Sequence, residues 1–156
     1  MRIASVAVLR LSRIWTALKA SRAFRWGLLF GCIVLIAVLS LVPFRVVPRF
    51  VFSLPCFDKV GHFVLYATLA ALAFWSFRGI RRVHLRTMPV FAGSVAYGVL
   101  MEFMQRYMTA AHRSFSQGDI MANSAGAAVC LFVLSKSVRA PRAAMPLLLL
   151  FLGGMQ

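Results

Sequence analysis

The sequence predicts an all-α fold, a polytopic membrane helical bundle of about four transmembrane helices with an N-terminal interfacial helix. Composition, charge placement and span length predict it. Apolar residues make up 62% of the 156 residues and charged residues only 13%, whereas a soluble domain has roughly 45–50% and 25%. Mean hydropathy is +0.85. Disorder, which needs low hydrophobicity, and a water-soluble globule are both excluded. The net charge of +15 would otherwise suggest nucleic-acid binding. Here, however, the basic residues lie between long apolar runs rather than along a polar face, as in membrane proteins. Cys32, Cys56 and Cys130 are too few and too scattered for a disulfide framework or a zinc site.

Three regions follow. Residues 1–25 form a basic amphipathic segment. Leu11, Ile14, Trp15 and Leu18 share one helical face there, with Arg10 and Arg13 off it, a pattern that suits an anionic leaflet. It is read as part of a retained signal anchor. Residues 26–138 form the transmembrane bundle. Trp26 to Val42 is free of charge and ends at Pro43, just long enough as a helix to cross a ~30 Å hydrocarbon core. Val60 to Phe77, Thr87 to about Tyr107, and Asp119 to about Val138 are the second, third and fourth spans. None alternates as a barrel strand would, and in lipid only helices or closed barrels satisfy the backbone. Residues 139–156 form a tail whose apolar run, Leu147 to Leu152, is too short to span.

Charge sets the orientation. Arg2, Arg10, Arg13, Lys19, Arg22, Arg25, Arg78, Arg81, Arg82, Arg86, Lys136, Arg139 and Arg142 fall on one side, and Arg45, Arg49, Lys59, Arg106 and Arg113 on the other. The richer side is cytoplasmic. Both termini are then inside, and the first and third connections face outward.

The three acidic residues, Asp58, Glu102 and Asp119, all fall at outward helix ends. Asp58, His62 and Tyr66 recur every four residues and share a face. Glu102, Gln105 and Arg106 stand at i, i+3 and i+4. Asp119, Asn123 and Gly126 form a third stripe. Polar faces of membrane helices turn inward, and Gly126 with Ala122 and Ala127 lets another helix come close. The stripes predict a polar pocket beneath the outer surface. Each has a plainer reading. An Asp in a first helical turn is favoured by about 0.3–1 kcal/mol. Ser116-Gln117-Gly118-Asp119 has capping-box spacing, and His62 can be a packed histidine. Glu102 lies near a helix C-terminus, where the dipole disfavours an anion. It needs a partner, for which Arg106, Arg113 and Lys59 are the candidates.

These stripes resemble those of the VanZ-like membrane proteins. Asp58-Lys59-Val60-Gly61-His62-Phe63 with Tyr66 is similar to their D-K-x-x-H-F-x-x-Y. Glu102 and Gln105 match E-x-x-Q, and Arg113, Ser116, Asp119, Asn123 and Gly126 match R-x-x-S-x-x-D-x-x-x-N-x-x-G. Two positions depart: Ala111-His112 replaces the common Pro-Gly, and Cys130 replaces a second glycine. The resemblance spans roughly Val42 to Leu134 and implies a small multi-span protein of the bacterial inner membrane.

Three functions compete. The first is binding or handling an anionic lipid of the outer leaflet, a polyprenyl-phosphate or phospholipid head group. Lys59, Arg106 and Arg113 would supply donors, since Arg grips phosphate bidentately. Tyr66, Gln105, Ser116, Asp119 and Asn123 would complete the site. The second is an enzyme acting on such a lipid, with Asp58, His62 and Glu102 as acid–base candidates. The sequence offers no convincing nucleophile, no G-x-S-x-G elbow and no H-E-x-x-H helix, so activity stays open. The third is a structural or regulatory envelope protein. Neither a cofactor nor a nucleic-acid partner is expected, and no sequence-local spacing supports a metal site.

Overall fold

A computed structural model describes residues 21–41, 57–108 and 116–139. They form four helices, α1 (Arg22–Leu41), α2 (Phe57–Ser76), α3 (Val83–Met108) and α4 (Gln117–Arg139), with no strand among the described residues. The expected interfacial helix near residues 10–18, the C-terminal tail and Arg113 lie outside them.

The helices are longer than the charge-free runs. The second helix begins at Phe57 rather than Val60 and takes Asp58 into its first turn. An acidic side chain there complements the helix dipole, as expected of an Asp at the start of the second helix, so the helix extends beyond the apolar span. The third begins at Val83, four residues before the expected Thr87, and carries Pro89 inside. Pro89 cannot donate to the Leu85 carbonyl, yet the helix continues.

Three helices, Arg22–Leu41, Val83–Tyr107 and Gln117–Val138, are long and apolar enough to cross a membrane. The second is not among them: Asp58, Lys59 and His62 occupy its first two turns and dilute its apolar length.

Helix α2 is the centre of the bundle. It packs most extensively on α4 and also touches α1 and α3, whereas α1 and α4 do not meet among the described residues. Leu29, Ile36, Tyr66, Leu69 and Met101 form one buried cluster; Ala70, Phe74, Val90, Ala127 and Leu131 form another. The outer faces stay apolar: Phe30, Met88, Met121 and Phe132 are all largely exposed. Water would penalise that surface by roughly 25 cal/mol per Å²; hydrocarbon does not. Hydroxyls within the helices turn back on their own backbone, as Thr68, Ser76, Thr87 and Ser94 donate to carbonyls four residues earlier. Such back-bonding satisfies a polar group where lipid offers no acceptor.

Between helices, Tyr97 Oη donates to the Ile33 carbonyl at 2.7 Å and Ser76 Oγ donates to the Arg25 carbonyl at 3.3 Å. The end of α2 thus meets the start of α1, and the later part of α3 meets the end of α1 and the start of α4, so successive helices run antiparallel. Asp58, Glu102 and Asp119 lie at one end of the bundle, and Arg22, Arg25, Arg78, Arg81, Arg82 and Arg86 at the other.

Candidate functional site

The acidic end is assembled at the start of α4. Ser116 precedes its first turn, and its Oγ accepts the Asp119 N–H at 3.2 Å, satisfying one of the donors a helix start leaves open. In a capping box the residue three positions on would return a carboxylate to the cap's own N–H. Here the carboxylate comes from another helix: Glu102 Oε2 on α3 accepts the Ser116 N–H at 3.1 Å. The buried Glu102 thus sits at the N-terminus of α4, where the dipole favours an anion, although it lies near the unfavourable end of its own helix.

The Asp119 carboxylate turns to α2 instead. Its Oδ1 lies 3.4 Å from Lys59 Nζ, and its Oδ2 lies 3.7 Å from His62 Nε2. The two partners differ in exposure, at 6% for the Asp119 side chain and 51% for Lys59. Gly118 eases this approach: a Cβ there would stand 3.0 Å from Lys59 Cε, so the flexible lysine would have to give way slightly.

His62 is held from both sides. Asn123 Oδ1, buried on α4, lies 3.1 Å from Nδ1. With that oxygen accepting, Nδ1 carries the proton and Nε2 faces Asp119 and, at 3.9 Å, Asp58 Oδ1. Asn123 has room because Gly98 faces it from α3, where a Cβ would come within 3.1 Å of Nδ2. One turn deeper, Gly126 meets α2 directly: a Cβ there would overlap the Phe63 carbonyl. That contact brings α2 and α4 to backbone distance and lets short side chains meet across them.

Other expected site residues do different work. Gln105 Nε2 donates to the Ser40 carbonyl at 3.1 Å, one of the acceptors left open at the end of α1. Tyr66 is buried against Gly98, and its hydroxyl has no hydrogen-bond partner among the described residues. Arg106 is exposed, with its guanidinium 5.9 Å from the Tyr107 ring. The structure therefore brings together Asp58, Lys59, His62, Asp119 and Asn123, with Glu102 and Ser116 beneath them.

A model described as VanZ/LLP1 matches residues 3–138. The chain belongs to the VanZ/LLP1 family. The matched region contains all four helices up to Val138 and every residue of the polar cluster. No curated protein and no solved structure matches the chain.

In this VanZ/LLP1 chain the cluster can do two kinds of chemistry. Asp58, His62 and Asp119 place three potential metal-ligand atoms within 4.8 Å of one another, a set that suits a divalent cation by ligand type. Carboxylates also gather this way without one, and Lys59 already occupies one edge of Asp119. The cluster can equally hold an anion at its half-exposed ammonium. Sequence spacing missed Gly98, Gly118 and the Ser40 carbonyl. Only the glycines carry a signal, namely small residues in helical segments that face polar stripes.

Proposed function

We propose that this VanZ/LLP1 protein binds or handles an anionic envelope lipid, with the phosphate of a polyprenyl-phosphate or phospholipid head group taken at the acidic end of the bundle. In this reading all four helices cross the bacterial inner membrane. Both termini are cytoplasmic, and the cluster lies beneath the outer face. Charge counting supports that orientation.

The observation that carries the reading is Lys59. Its ammonium is steered by a buried carboxylate, yet half of its side chain remains exposed. A cation fixed at a membrane interface and still open is suited to an incoming phosphate. Arg106, exposed one turn beyond Glu102, and Arg113 in the following connection would add donors, and Arg binds phosphate in a fork. Asp58 and Asp119 orient Lys59 and His62 and limit repulsion among the cations when the site is empty.

The test is native mass spectrometry of the protein released from nanodiscs. Lys59→Ala and Arg113→Ala should each lower the number of anionic lipids retained per protein, by the one held at the acidic end, while melting like the parent. Unchanged retention in both overturns the reading.

A second reading is favoured by His62. With Nδ1 held by Asn123 and Nε2 turned to two carboxylates, it is placed as a general base or acid for a lipid phosphate reaction. Turnover of a labelled lipid phosphate that disappears in His62→Gln would favour the enzyme. A protein with wild-type lipid retention and no turnover is a binding module.

A further inference from the structure

The opposite end of the bundle holds a feature independent of the acidic cluster. Between the start of α1 and the turn after α2 is a hollow of about 270 Å³, bounded by Arg22, Arg25, Trp26, Ser76, Phe77 and Arg78. A second, larger space of about 390 Å³ runs from Phe77 along the bundle between α1, α2 and α3, with Leu29, Ile33, Leu69, Ala73 and Val90 on its walls. Phe77 belongs to both. The basic hollow and the apolar groove are therefore neighbours that share a wall.

We propose that this pair of spaces is a phospholipid site, facing the inner leaflet in the orientation of the proposed function, distinct from the acidic end, with an anionic head group among Arg22, Arg25 and Arg78 and an acyl chain in the groove. Three observations support it. The first is charge. This end carries Arg22, Arg25, Arg78, Arg81, Arg82 and Arg86, whereas the chain's three acidic side chains all lie at the other end. A phosphate complements that field, and each basic residue near an anionic leaflet adds about 1 kcal/mol of attraction.

The second is depth. Trp26 stacks edge-on against Phe77 with ring centroids 5.1 Å apart, and Phe24 against Trp75 at 6.4 Å. Of these rings the tryptophans, Trp26 and Trp75, are the type that marks the head-group level of a membrane. The hollow thus lies where a lipid phosphate lies, and the groove leads from it toward the bilayer centre.

The third is shape. The groove is apolar, and it stays open because Gly93 borders it without a side chain. A Cβ at Gly93 would meet nothing within 4 Å, so a side chain can start into this space from α3 without a clash at its first atom.

Trp26 provides the readout. In the full chain, Trp15→Phe and Trp75→Phe leave it as the single tryptophan. This protein is placed in vesicles of phosphatidylcholine containing either brominated phosphatidylglycerol or brominated phosphatidylcholine. The expected result is stronger quenching by the anionic lipid, corresponding to a preference of about tenfold or more. Arg22→Gln with Arg78→Gln should remove the preference. Gly93→Leu, which fills the groove and leaves the arginines in place, should also reduce it. Lys59→Ala, at the far end, should leave it intact, so failure of this site and failure of the proposed function are separable. Equal quenching by the two lipids overturns the proposal, as does a preference that survives both the arginine and the glycine variants. Loss of the preference on adding millimolar inorganic phosphate would show that the hollow recognises free phosphate and would overturn the lipid assignment.

Discussion

Glu102 on α3 accepts the backbone N–H of Ser116 at 3.1 Å, so one helix supplies the cap of the next. The consequence falls on Asp119. In a self-contained capping box its position would supply the carboxylate that returns to Ser116. Relieved of that task, it reaches Lys59 and His62 on α2. A structural hydrogen bond is thereby what makes a carboxylate available to the candidate site.

Glu102→Ala should therefore destabilise the protein by about 1–3 kcal/mol, because it leaves the Ser116 N–H without that acceptor. Glu102→Gln retains an acceptor oxygen and should cost less. Thermal unfolding of the detergent-solubilised variants measures the difference. Equal loss in both would mean that the carboxylate's charge, rather than this hydrogen bond, holds the site.

Gly126→Ala should be among the most damaging single-methyl additions in the bundle. The new Cβ overlaps the Phe63 carbonyl, and backbone atoms cannot rotate away as a side-chain tip can. Overpacking of this kind costs about 1–3 kcal/mol or more. Gly27→Ala, where a Cβ meets nothing within 4 Å, is the matched control. Melting temperatures that fall equally would contradict the close approach of α2 and α4.

The Lys59–Asp119 pair should contribute little to stability. Lys59 is half exposed, so solvent screens the pair, and a double-mutant cycle with Lys59→Ala and Asp119→Asn should give a coupling of about 0.2–1 kcal/mol. A coupling several times larger would make the pair a structural strut and weaken its reading as a binding device.

Tyr66→Phe removes a buried hydroxyl that has no hydrogen-bond partner among the described residues. Its effect on the melting temperature should be small, corresponding to less than about 1 kcal/mol, since no bond among the described residues is lost and the ring still packs. Loss of retained lipid with unchanged melting would place the hydroxyl in a ligand's path. A large fall in melting temperature would show a structural role for it.

Much of the fold was legible because its signals are local. Apolar runs bounded by arginines mark the helices, and four-residue steps put Asp58, His62 and Tyr66 on one face. Helix starts were partly legible. The third helix starts at Val83, four residues before Thr87, whereas the sequence places Asp58 at the start of the second helix and it stands in the first turn of α2, where a negative charge meets the positive end of the dipole. The same polar turn keeps α2 out of the set of helices apolar enough to span.

The candidate site was less legible because its contacts join residues far apart in the chain. Arg106, four residues from Glu102, was an obvious partner by helical spacing. No spacing points to the Ser116 N–H, because it belongs to another helix. Gln105 likewise offered itself as a ligand donor, and only the packing of α3 on α1 sends its amide to the Ser40 carbonyl. A backbone acceptor has no signature in a side-chain pattern.

The most direct measurement is photo-crosslinking with an anionic lipid that carries its reactive group beside the phosphate, followed by mapping of the adducts. Lipid handling at the acidic end is expected to place one set of adducts on the first turns of α2 and α4, around Lys59, His62 and Asn123, and Lys59→Ala should abolish it. Adducts confined to the arginine-rich end, or to outward apolar faces such as Phe30 and Phe132, would contradict it.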